Sequence, residues 1–355
     1  MESEKFLYKY LNAYAPVGQE YEGQKIWADY IRPYVDRVEK DPYGSVVGIV
    51  KSTNTNTLSV AIEAHSDEIA WIVTQIEEDG FLRVKRHGGS DNMIAPSKDV
   101  IVHTHDGQKV SGVFGWPAIH TRKKDVEEGP AQHELWVDLG LDSKEKVLHE
   151  GVEVGNLITF NDPLRLIGDY WVGRSLDNKI GGYIIAEVIR RIKERGIQLW
   201  YDLYVVNSVQ EEVGLHGAKL IAKEYDIDIA LVHDVCHNTN TPKMDRAKDG
   251  DVKGGQGPTI QYTAQNHRTL NSLIRKVANE YFIPLQLEVG SYGNDTMAFF
   301  LEGIPSAIIS TPLKYMHTTV EMAHVNDVEN AIELFIATLE NIDPEMAGEM
   351  FNKSF

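Results

Sequence analysis

The sequence is poor in cysteine and in positive charge, and it has no long apolar run. Cys236 is the single cysteine among 355 residues. A disulfide framework within the chain is therefore excluded, and a cysteine-based zinc site nearly so. No stretch of about 18 apolar residues occurs, so no membrane span is expected. Lys and Arg total 35 against 53 Asp and Glu, giving a formal net charge of −18. That balance argues against nucleic acid or an anionic membrane as the main partner. Met1–Tyr10 (M-E-S-E-K-F-L-Y-K-Y) lacks a basic segment followed by an apolar core. No signal peptide is expected, and the chain reads as cytoplasmic.

What remains is ordinary for a globular protein, with 42% hydrophobic and 25% charged residues. The length calls for one large or two smaller domains. Two patterns divide it. Helical apolar spacing covers Ser3–Ala15 and Gln19–Val35, and strand-like runs follow at Ser45–Lys51 and Thr57–Ala64. From 69 to 163 the pattern is short β runs separated by turns such as E-E-D-G at 77–80 and H-D-G at 105–107, with one helical stretch at Ser143–His149. Evenly spaced short strands suggest a small inserted β-barrel. From 164 onward helix and strand alternate. An amphipathic helix is expected over Lys179–Arg195, a strand over Leu199–Val209, and a closing helix over Val325–Ile342. Such alternation predicts an α/β domain, 1–68 plus 164–355, with a mostly parallel sheet flanked by helices.

The chemistry gathers where predicted strands end. Ser208–Gly217 (S-V-Q-E-E-V-G-L-H-G) follows an apolar, β-branched run and precedes a helix, which sets Glu211 and Glu212 at a strand's end. In open α/β sheets that edge binds ligands. Adjacent carboxylates repel, and a metal ion offsets them while leaving one free to handle protons. Five further places carry His or carboxylate: His65 with Asp67, Asp177 in S-L-D-N-K, Asp234 in H-D-V-C-H, Asp295 in G-N-D-T, and His317 in Y-M-H-T. Two imidazoles with several carboxylates suit Zn²⁺, Co²⁺ or Mn²⁺ rather than Ca²⁺. Two ions need a bridging carboxylate, which Asp177 could supply, and one carboxylate, Glu211 or Glu212, must stay off the metal. Each residue also has a plainer reading. Asp177 could cap the helix that begins at Lys179, and Asp67 could cap the segment after it. His216, His233, His237 and His324 read as structural or supporting.

The strings A-H-S-D-E-I at 64–69, S-L-D-N-K at 175–179, V-Q-E-E-V-G-L-H-G-A at 209–218, H-D-V at 233–235, N-T-P at 240–242 and Y-M-H-T-T-V-E-M at 315–322 resemble the tetrahedral aminopeptidase family of dinuclear metallo-aminopeptidases, often labelled glutamyl aminopeptidase or endoglucanase. The insert resembles that family's dimerisation barrel through G-G-S-D at 88–91, G-V-F-G at 112–115 and L-W-V-D-L-G-L-D-S at 135–143. The resemblance implies roles. His65 and Asp234 would serve separate ions with Asp177 bridging, Glu212 would be a ligand paired with His65 or with His317, and His317 would complete the second ion's ligands. Glu211 would be the general base, and Asp67 would orient His65. The Asp295 region would help form the pocket for the first side chain, although Y-G-N-D-T at 292–296 departs from the family's usual G-G-T-D-A. The implied activity is removal of N-terminal residues from peptides by a hollow homododecamer built from dimers.

Other functions fit less well. A related dinuclear zinc deacylase or carboxypeptidase would carry an insert of helices and strands. A glycosidase needs two carboxylates but no imidazole-bearing metal set. A non-catalytic, metal-stabilised peptide-binding assembly protein would have no use for Glu211.

Overall fold

The computed structural model describes residues 2–54, 58–122, 129–290 and 293–351. Thr57 and Tyr292, which the sequence reading includes in a strand and in the pocket segment, lie outside the described residues. The chain opens with helices α1 (Glu2–Asn12) and α2 (Tyr21–Ile31), then strands β1 (Arg37–Lys40), β2 (Val46–Val50) and β3 (Ser59–His65). Both helices are shorter than expected. Proline removes a helix donor, and the second helix tightens into a 3₁₀ turn at Arg32–Tyr34, around Pro33.

The chain then leaves the sheet to build the insert: β4 (Ala70–Ile76), β5 (Leu82–His87), β6 (Asp99–His103), β7 (Lys109–Phe114), β8 (Trp136–Asp138), helix α3 (Lys144–His149) and β9 (Leu157–Phe160). These strands close into a barrel in the order β4-β5-β8-β7-β6-β9. Trp71, Phe114 and Phe160 pack edge-on and tilted against one another at its centre, 5.3 and 6.1 Å between rings, so the barrel has its own core.

The return run is β10 (Arg165–Ile167), β11 (Tyr170–Gly173), α4 (Leu176–Arg195), β12 (Asp202–Ser208), α5 (His216–Glu224), β13 (Ile229–His237), α6 (Arg246–Asp249), β14 (Thr259–Gln261), α7 (Arg268–Glu280), β15 (Gln286–Glu288), α8 (Thr296–Leu301), β16 (Ser306–Lys314), β17 (Glu321–His324), α9 (Val325–Glu340) and α10 (Pro344–Phe351). The sheet runs β1-β2-β12-β3-β13-β16-β17-β11-β10, with β14 and β15 attached beside β16. Its centre, β12-β3-β13-β16, is parallel, and antiparallel strands extend it on either side. Helices cover both faces. Val60, Ile62 and Ala64 of β3 pack toward α4 and α9, while Ala61 packs toward α5 and α8, the period of two that a strand imposes.

Helix α4 corrects the amphipathic reading. It is buried on every side from Leu176 to Ile189, Lys179 and Glu187 included. The expected strand over Leu199–Val209 begins only at Asp202, because Trp200 turns away to donate from Nε1 to the Ile342 carbonyl at 2.6 Å. Among the described residues no helix is long and apolar enough to cross a membrane.

Candidate metal centre and active site

Strand register builds the centre. β12 and β3 run in parallel with Ser208 beside His65. β13 pairs β3 with Val232 beside Glu63, and that register, continued two residues, brings Asp234 beside His65. Both side chains reach the same edge, and His65 Nε2 lies 3.8 Å from Asp234 Oδ1. Asp177 comes from the start of α4, where Asp177 (φ −79°, ψ 109°) and Asn178 (φ −118°, ψ 32°) are not helical. Its carboxylate reaches forward, with Oδ1 3.3 Å from His65 Nε2 and Oδ2 3.3 Å from His317 Nε2. Glu212 Oε1 lies 3.3 Å from the same His317 nitrogen.

Two sets of potential ligand atoms result, each within 4.8 Å of one another: His65, Asp177 and Asp234, and Asp177, Glu212 and His317. Asp177 belongs to both, as a bridge requires. The implied split of His65 and Asp234 between separate ions is corrected by this geometry. They share one half because their strands are neighbours, while Glu212 and His317 reach Asp177 from loops on its other side.

The loops are held firmly. Asp67 accepts from the Glu211 and Glu212 N–H groups at 3.0 and 3.1 Å, one oxygen each. The same Oδ1 is 3.4 Å from His65 Nδ1, which has no hydrogen bond. Asp67 thus shapes the Glu211–Glu212 loop more directly than it orients His65. Gln210 (φ 59°), beside Glu211, His317 itself (φ 60°) and Ser175 (φ 55°), two residues before Asp177, sit in the left-handed region, which non-glycine residues occupy at a cost and mostly at functional loops.

Charge is concentrated here without enough protein cations. Burial, and then Asp295, Asp234 and Glu212 nearby, push Glu211 up to about 10 despite the opposing pull of His65. Burial likewise raises Asp234, Asp295 and Glu321. His317 loses affinity for a proton through burial, yet its contacts to Asp177 and Glu212 outweigh this and push it up to about 12. Buried carboxylates that crowd in this way are stabilised as anions by bound cations. The donor set of imidazole and carboxylate fits borderline divalent ions. Glu211 is in neither set of ligands, and its Oε2 is 3.9 Å from His65 Nε2.

Beside the centre lies a cavity of about 330 Å³. Glu211, Glu212, Asp177, Asp234 and His317 line one side, and Val235, His237, Gly293 and Met316 complete it. Asp295 is buried beneath, 3.4 Å from Ser208 Oγ, so within the expected pocket segment it is Gly293 that faces the cavity. Of the other histidines, His233 is buried between Asn178 and Thr311 at 3.0 and 2.9 Å, and burial pushes it down to about 3. His324 caps α9, and His216 lies 3.3 Å from Gln210 Oε1.

Two carboxylates escaped the sequence reading. Glu321 accepts from the Asp177 N–H at 3.2 Å and from the His317 N–H at 2.7 Å, joining the backbones of two candidate ligands. Glu63 accepts from Ser208 Oγ at 2.6 Å, directly under the strand ends. The signal for Glu63 was a charge inside the otherwise apolar T-L-S-V-A-I-E-A. For Glu321 it was a spacing of four from His317.

The chain matches the M42 glutamyl aminopeptidase family over residues 44–334. It is 30% identical over 329 residues to the lysyl aminopeptidase of Pyrococcus furiosus, covering 89% of this chain and 90% of that one. An aminopeptidase structure from Desulfurococcus kamchatkensis superposes with a TM-score of 0.92 at 30% identity, over 99% of both chains. The TET1 peptidase of Pyrococcus horikoshii, which can assemble into a tetrahedron or a large octahedral shell, superposes with a TM-score of 0.85 at 28% identity, over 96% of this chain and 100% of that one. The strand-end site and these likenesses agree, and the chain belongs to the M42 glutamyl aminopeptidase family, a family of peptide hydrolases.

Proposed function

We propose that the protein is a metal-dependent aminopeptidase that removes N-terminal residues from peptides, with Glu211 as the general base and two divalent ions per chain. His65, Asp177 and Asp234 would hold one ion, and Asp177, Glu212 and His317 the other. Zn²⁺ or Co²⁺ fits best, with Mn²⁺ also suited to the donors. The observation that carries this reading is Asp177, placed 3.3 Å from both imidazoles, with Glu211 beside it and outside both ligand sets. Bound divalent ions supply Lewis acidity toward the scissile carbonyl and lower the pKa of water.

The chain's own residues do the rest. Glu211 takes a proton from the attacking water and returns it to the leaving amine. Asp67 fixes the carboxylate by holding the two backbone N–H groups of that loop. Glu321 ties the backbones of Asp177 and His317, which keeps the two halves in register. Val235, Gly293, Met316 and His237 receive the first side chain in the cavity.

The likeness to a peptidase that forms closed shells supports self-association, as a homododecamer of dimers joined through the 69–163 barrel. A single, buried cysteine suits a cytoplasmic setting. The deciding experiment is hydrolysis of aminoacyl-chromogenic substrates by metal-free protein, with Zn²⁺, Co²⁺ or Mn²⁺ added back and N-acetylated substrates alongside. Metal-restored activity that acetylation abolishes is the expected result. Equal activity on blocked substrates, or none with any metal, would overturn the reading.

A further inference from the structure

The barrel reaches into the metal centre at Gly88–Gly89, just after β5. A Cβ placed on Gly89 would lie 2.4 Å from His317 Nδ1 and 2.5 Å from its Cε1. One on Gly88 (φ +82°) would lie 3.3 Å from Glu212 Cβ. Neither side of this contact yields easily. The segment is pinned, since His87 pairs with Ala70 and reaches the Val17 carbonyl at 3.0 Å, while Ser90 Oγ donates to the Ala70 carbonyl at 2.6 Å. The His317 backbone is held by Glu321, and turning its ring away would take Nε2 from Asp177 and Glu212.

We propose that Gly89 is a positioning residue for His317: its bare backbone forms the wall that confines the imidazole to the orientation in which Nε2 meets Asp177 and Glu212. The insert is then part of the centre and not only a means of assembly. The inference rests on the reading of His317 as a ligand given above. Residues that orient a metal-bound imidazole without touching the metal change affinity by about 10- to 100-fold when altered.

The test is a Co²⁺ titration of metal-free, full-length protein, read by visible absorbance and calorimetry, for the parent, Gly89→Ala, His317→Ala and the double variant. The parent should bind two Co²⁺. Gly89→Ala should keep one binding event and weaken the other by about 10- to 100-fold. In the His317→Ala background Gly89→Ala should add nothing, because its target is gone. Any thermal stability that Gly89→Ala loses should return in the double variant. A parent with two Co²⁺ and a Gly89→Ala protein that binds both equally tightly would overturn this inference alone. So would equal weakening by Gly89→Ala in both backgrounds. A parent that binds fewer than two Co²⁺, or a His317→Ala protein that binds them unchanged, would overturn the ligand reading and this inference with it.

Discussion

Two buried clusters of charge lie within the same few turns of chain, and they are balanced in opposite ways. At the joint between barrel and sheet, Glu68 pairs with Arg174, and Arg174 also donates to the carbonyls of Asn12 and Ala13 at 3.2 and 3.3 Å. Lys179 Nζ, fully buried, donates to the carbonyls of Leu11 and Ala13 at the end of α1. Burial alone would raise Glu68, but Arg174 and Lys179 hold it below the usual carboxylate range. Five residues on from Arg174 to Lys179, and between them, Asp177 enters the other cluster. There Glu211, Glu212, Asp234 and Glu321 are all raised, burial first among the causes. One cluster carries its own counter-charge, and in the other His65 and His317 hold Asp177 down but leave the remaining carboxylates without enough of it. Burial of charge by itself therefore does not mark the site; burial with too little internal counter-charge does.

The comparison can be broken at either cluster. Asp177→Ala should have the largest effect, since it belongs to both ligand sets: metal content after gel filtration should fall at both positions and turnover should drop to background. Glu211→Gln should lower kcat by about 10³-fold, within the range of general acid–base catalysis, while metal content stays that of the parent. At the joint, Arg174→Met strands Glu68 and should cost about 3–5 kcal/mol in urea unfolding. Glu68→Gln in the same chain should restore most of that loss, whereas no neutralising substitution at the metal centre should restore turnover. Glu321→Gln should weaken metal binding by about 10- to 100-fold without changing the urea midpoint of the metal-free protein.

The smallest effect is on pH dependence. His103, buried in the barrel 2.8 Å from Thr159 Oγ1 with its ring tilted against that of Tyr14, is pushed down to about 4 by burial. The folded chain keeps it neutral while the unfolded chain protonates it near 6.5. Stability is therefore complete above that pH and declines as pH falls from about 6.5 toward 4. The loss should reach about 1.4 kcal/mol at pH 5.5, and His103→Gln should flatten that slope in thermal melts.

Much of this was legible in the sequence because the candidate site residues stand at the ends of strongly patterned strands. His65, Glu211, Glu212 and Asp234 follow apolar β-branched runs, and the barrel announces itself by turn residues between short strands. What escaped depends on contacts distant in sequence. β1, β10, β11, β14 and β17 have three or four residues each, too few for a period of two to stand out. Helix α4 looked amphipathic because its charged residues were assumed to face water. Lys179 instead reaches the carbonyls that end α1, and Glu187 meets Arg190 Nη2 at 2.7 Å. Glu321 and Gly89 matter only through partners that no local pattern reveals.

The parallel register of β3 and β12 has a consequence for how such a chain can vary. Ser208 lies beside His65, and Glu211 begins three residues later. Side chains alternate faces along a strand, so removing one residue within Asp202–Ser208 would exchange side chains between the core that holds Leu203 and Val205 and the one that holds Tyr204 and Val206, and draw the acidic pair back from the edge. A conservative point substitution in that strand trims one contact. A single-codon deletion there changes the distance between an imidazole and a carboxylate. Spacing along β12 is thus a length standard for the centre, and in any library of this scaffold substitutions should survive there where changes of length do not.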